Sequence, residues 1–122
     1  MPPDEYIPLT PVNRSVITIV VKKPFQDWLE SLPEKSASEH FNLDNVNEDN
    51  SAYMVPAFED QEQPMDYVKE IAPAIFEEQL ESWYTDETNW PKNRDWKTFQ
   101  EWFDVRIHTM AFDFCDEPLE RE

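Results

Sequence analysis

The chain offers few side chains capable of covalent or metal chemistry. It has two histidines, His40 and His108, and one cysteine, Cys115. A nucleophile needs a base within hydrogen-bond reach. His108 and Cys115 fall on one predicted strand, Val105 to Cys115, at a spacing that separates them by roughly 23 Å and puts them on opposite faces. No dyad forms at that spacing. His108 reads as a hydrogen-bonded sheet residue and Cys115 as a small buried hydrophobe. The same three residues are too few for a zinc site. The acidic run from Asp44 to Asp49 is a poor calcium loop. Asp44 and Glu48 fit its first and fifth positions, but Val46 stands at the third and the turn glycine is missing. Paired carboxylates are so abundant that one pair falls at a glycosidase-like separation by chance. No catalytic residue, metal ligand or cofactor is assigned.

None of the 122 residues is glycine. Glycine is where a backbone takes positive φ cheaply or comes close to a ligand. Its absence excludes a phosphate-cradling loop, a dinucleotide fingerprint and a nucleophile elbow. Most nucleotide-dependent enzymology goes with them.

One constellation stands above background. Between Val55 and Trp90 there are ten acidic residues and one base, Lys69, so this segment carries −9 of the net −17. On a helix, Asp66, Glu70, Glu77 and Glu81 lie within about 60° of one another. Asp86, Glu87 and Trp90 follow on a connector, and Tyr67, Trp83 and Tyr84 are interleaved. Acidic faces rimmed by aromatics suit a basic protein partner, because charge sets the on-rate and aromatic anchors set residence. These seven residues, Asp66 through Trp90, are the expected partner-binding set. The bland alternative is a solvated helix face over core tryptophans.

The elements that must hold this face follow from pattern. Residues 1–14 carry Pro2, Pro3, Pro8 and Pro11 and read as an extended arm. Val16 to Val21 is β-branched almost throughout and apolar on both faces, which predicts a central strand covered on both sides. Lys23-Pro24 opens a helix with the stripe Phe25, Trp28, Leu29 and Leu32, closed by Pro33. Residues 34–51 read as a long polar loop, with Phe41, Leu43 and Val46 turned inward. Ala52 to Phe58 is a second strand, and Pro56 favours an edge. Pro64 opens the longest helix, to about Tyr84, with a kink or break expected at Pro73. Its inner face is Val68, Ile71, Ala72, Ile75, Phe76, Gln79, Leu80 and Trp83. Asp95 caps a short helix ahead of the third strand. Residues 15–115 are thus one globular domain and 116–122 an acidic tail. The order β-α-β-α-α-β, with no hairpin-length loops, predicts an α/β or α+β fold. Its small three-stranded sheet should be mostly parallel, because long helical connections favour parallel neighbours.

A net charge of −17 repels nucleic acid and anionic membranes and favours a monomer or weak dimer. The single cysteine and the absence of a leader-like start point to a reducing, cytoplasmic setting.

The stretches Lys23-Pro24-Phe25-Gln26-Asp27-Trp28-Leu29, Leu80-Glu81-Ser82-Trp83-Tyr84-Thr85-Asp86-Glu87 and Phe99-Gln100-Glu101-Trp102-Phe103 resemble a family of small acidic bacterial proteins with no assigned activity. The likeness covers about residues 14–114. It implies a bacterial cytosolic protein and no catalytic residues. In architecture alone, an acidic helix on a three-stranded parallel sheet also resembles the barstar type of nuclease inhibitor. The expected function is a non-enzymatic acidic protein-binding module, in its specific form an inhibitor or immunity protein for a basic partner. The opposing class is a small enzyme or ligand-binding domain with a carboxylate- and Trp-lined pocket.

Overall fold

The structure is a computed structural model that describes residues 10–34, 36–59 and 63–122. The greater part of the expected proline-rich arm, residues 1–9, lies outside the described residues. The elements are β1 (Thr10–Pro11), β2 (Arg14–Val21), α1 (Lys23–Ser31), α2 (Ser36–Glu39), α3 (Leu43–Glu48), β3 (Ala52–Pro56), α4 (Gln63–Glu81), a 3-10 turn (Glu87–Asn89), α5 (Trp96–Trp102), β4 (Phe103–His108) and β5 (Phe112–Asp113). Two sheets form, a pair β1-β5 and a triplet ordered β3-β2-β4.

Every pairing is antiparallel, so the mostly parallel sheet expected from the sequence is wrong, and the fold is α+β. The reason lies in where each connection returns the chain. After β2, α1 leads into α2 and α3, inside the stretch read as a loop. Asn47 of α3 then accepts from the Val21 backbone N–H at 2.7 Å and donates to its carbonyl at 3.0 Å. The chain is therefore back at the end β2 had just left, and β3 runs antiparallel to it, with Thr18 opposite Ala52. α4 and α5 next carry the chain from the end of β3 to the Trp102 carbonyl, which accepts from the Lys22 N–H at 2.9 Å. That bond starts β4 opposite Val21. β3 and β4 thus point the same way, as a helical crossover demands. β2 is inserted between them, so no parallel neighbours exist in the triplet. The barstar-like architecture falls with the parallel sheet.

The triplet has one covered face. Along β2, Ser15, Ile17, Ile19 and Val21 are buried, while Val16, Thr18 and Val20 are only half-buried. Among the described residues the expected cover on both sides is not there. The buried side meets α1 through Phe25 and Leu29, α4 through Val68, Ala72, Ile75, Phe76 and Leu80, and α5 through Phe99. Aromatic rings dominate the contact: Phe103 lies 5.8 Å from Phe25, 5.2 Å from Phe76 and 5.0 Å from Phe99. Ser15 is buried but satisfied, donating to the Thr109 carbonyl and accepting from the Phe58 N–H.

Local signals explain the element ends. Pro24 sits in the first turn of α1. Asp95 accepts from the Thr98 N–H at 2.8 Å and caps α5. α4 runs through Pro73 without a break, and that proline is exposed. The expected strand to Cys115 stops at His108 and resumes only for Phe112 and Asp113. Cys115 is exposed, not buried, and its N–H bonds the Asp113 carboxylate. No described helix is long and apolar enough to cross a membrane.

Candidate acidic face

Amphipathic period places the acids of α4. Positions 68, 72, 75, 76, 79 and 80 are buried, and this turns Asp66, Glu70, Glu77 and Glu81 outward, all four exposed. At 1.5 Å per residue the stripe is about 22 Å long. Glu78 falls off it toward β3, where it accepts from Ser51 and Tyr53.

The connector is fastened beside this stripe. Arg94 donates to Glu77 at 3.2 Å, and its guanidinium lies 6.0 Å from the Trp90 ring centroid. Glu77 and Trp90 are thus brought to one place through Arg94, a residue the sequence reading left out. A lone arginine at the end of the 85–94 connector carried no periodic signal. Trp90 itself is only 7% exposed, and its indole N–H donates to the Tyr84 carbonyl at 2.7 Å. Its ring is therefore committed to the core. Tyr67, Trp83 and Tyr84 are half-buried, Tyr67 against Phe58 and Trp83 against Phe41.

Asp86 is engaged as a cap. Its carboxylate accepts from the Thr88 hydroxyl at 2.7 Å, the Thr88 N–H at 3.1 Å and the Asn89 amide at 3.2 Å. The bonds from Thr88 hold its carboxyl below the usual range, and those to Thr98 do the same for Asp95. Glu87 is exposed in the turn that Asp86 caps. Desolvation, then Glu34 and Asp86, push the Tyr84 hydroxyl up.

These caps set an acid response. A carboxyl with a depressed folded pKa stabilises the fold above its unfolded value, and that contribution disappears as pH falls through the folded value. Melting curves recorded between about pH 5 and pH 2 should therefore drop less steeply for Asp86→Ala than for the parent. Parallel slopes would show that the cap does not report on folding.

Among the described residues no group of three or more His, Cys, Asp or Glu is placed to hold a metal ion. Four of the clefts among the described residues have no tryptophan in their walls. No protein-family profile, curated protein or solved structure matches the chain.

Proposed function

We propose that the chain is a non-enzymatic protein-binding module whose acidic α4 face engages a basic partner. The observation that carries this reading is the outward stripe Asp66, Glu70, Glu77 and Glu81. Of these four, only Glu77 has an ion pair among the described residues. Three exposed carboxylates along one rigid helix favour a matching cationic surface, with half-buried Tyr67, Trp83 and Tyr84 at hand as anchors. In its specific form the module is an inhibitor or immunity protein for a basic enzyme, for instance one that acts on nucleic acid.

The test is reversal of the unpaired charges, Asp66→Lys with Glu70→Lys and Glu81→Lys. Glu77 is left in place because it holds Arg94. Surface changes of this kind shift stability by about 0.5 kcal/mol or less each. Capture from a bacterial lysate at low and high salt is compared with a melting curve for each protein. The expected result is a salt-sensitive basic partner that the variant holds about tenfold less well, or 1.4 kcal/mol, at an almost unchanged melting temperature. A normally folded variant that retains every partner would remove the reading.

A further inference from the structure

We propose that the uncovered face of the β3-β2-β4 sheet is a second docking surface, and that it takes an extended acidic segment of the form acid-x-apolar-x-acid. The face lies opposite the helices, so this reading stands or falls independently of the α4 stripe.

Register defines the surface. Residues directly opposite in antiparallel strands share a face. Val16 is flanked by Met54 and His108, and Thr18 by Ala52 and Arg106. Arg14 stands one step beyond Val16 on the same side of β2. The centre of the face is thus an apolar row, Met54 and Val16, with Arg14 and Arg106 diagonally across it. Next to that row is a cleft of about 400 Å³ whose wall includes Val12, Arg14, Val16, Met54, Phe112 and Leu119. Met54, Phe112 and Leu119 are three of the five exposed large apolar side chains among the described residues, at 53%, 48% and 68%. Large exposed apolar side chains gathered in one place mark contact surfaces.

Charge names the occupant. The chain has 27 acidic residues, yet Arg14 and Arg106 have no ion pair among the described residues. Among the described residues the Arg14 side chain donates only to the neighbouring Asn13 carbonyl, at 2.8 Å. Of the acids near this face, Asp104 is taken by Lys22 at 3.6 Å and Asp113 in the cleft wall accepts from the Cys115 N–H at 2.7 Å, while Glu120 lines a neighbouring cleft with Arg14. Two unpaired guanidiniums, with Met and aromatic side chains between and beside them, are the composition of a binding surface. Arginine forks match carboxylates. Their spacing fixes the segment. Arg106 lies opposite Thr18, four residues along β2 from Arg14, a separation of roughly 14 Å at strand rise and interstrand spacing. Carboxylates at i and i+4 of an extended segment are about 13 Å apart and point the same way. The side chain at i+2 also points that way and meets Val16 and Met54.

The probe is a fluorescent peptide, Ser-Glu-Thr-Leu-Thr-Glu-Ser, titrated into the full chain and read by anisotropy and by amide shifts. Saturable binding is expected, with shifts centred on Val16, Thr18 and Met54. Replacing both glutamates by glutamine, or moving the second to i+3 and so to the opposite face, should weaken binding about tenfold. Arg14→Gln with Arg106→Gln should do the same. The single variant Arg106→Gln, at an exposed position, guards against loss of fold in the double. Indifference to glutamate spacing, to the arginines, or to the peptide altogether overturns the proposal. So does a dimer in sedimentation that these arginine variants dissolve, because the occupant would then be a second copy.

Discussion

Phe76→Ala is expected to lower stability by about 3–5 kcal/mol, more than any surface change proposed above. Phe76 is fully buried. Its ring centroid lies 6.1 Å from that of Phe99, 5.2 Å from Trp102 and 5.2 Å from Phe103. One side chain therefore joins α4 to α5 and to the first residue of β4. Removing it opens a cavity between elements whose neighbours are rigid rings, and rings collapse poorly into a void. A domain of this size has about 5–15 kcal/mol in total. The loss should reduce the melting temperature by about 10–20 °C. Denaturant midpoint and slope, measured together, check it, and Phe76→Leu is the control at a cost below about 1.5 kcal/mol. If alanine costs no more than leucine, the aromatic cluster does not bear the load assigned to it.

Trp83 makes a useful contrast. The sequence places it on the inner face of the same helix, as deep as Phe76. In the structure it is only half-buried beyond the end of α4, with its ring edge-on to Phe41 at 5.0 Å. Helical period is reliable within the helix and says little past its last turn.

The same limit explains what the sequence conveyed and what it did not. Pro24, Asp95 and the apolar stripe of α4 are local signals, and each element they predict is present. The β-branched run Val16 to Val21 does form the central strand. Strand direction is not local. It turned on two single bonding sites, Asn47 at Val21 and the Trp102 carbonyl at Lys22. An asparagine in a polar stretch does not reveal such a partner in advance. The open sheet face was half visible: Asp104, Arg106 and His108 alternate with Phe103, Val105 and Ile107, the pattern of a strand covered on one side. Apolar residues on both faces of Val16 to Val21 masked that signal. At the candidate site, exposure of the four α4 acids followed from period. The burial of Trp90 and the capping by Asp86 depended on a connector with no period at all.

Gln79 carries the second large expectation. It is 2% exposed, on the inner face of α4 among apolar positions. Its amide nitrogen lies 2.8 Å from the Tyr53 hydroxyl and 3.2 Å from the Asn50 side-chain oxygen Oδ1. Tyr53 in turn donates to Glu78 at 3.2 Å. These bonds tie β3 and the residues before it to α4, one turn from Glu77 and Glu81. Truncation in Gln79→Ala would leave the Tyr53 oxygen without its donor, while Asn50 Oδ1 keeps the Ser51 N–H, at a cost of about 1–3 kcal/mol. The network also dictates a response to alkali. Burial, more than any neighbouring group, pushes the Tyr53 phenol from 10.0 up to about 12. The folded state thus holds this proton more tightly than the unfolded chain does. The stabilisation is whole below the unfolded value and is lost as pH rises through the folded one. Melting temperature should therefore fall between pH 10.0 and about 12, and Tyr53→Phe should flatten that fall. Combining Tyr53→Phe with Gln79→Ala should cost less than the sum of the two single changes, because each removes the same bond. Full additivity, together with an unchanged alkaline fall in Tyr53→Phe, would mean that the tie between β3 and α4 is made by apolar packing alone.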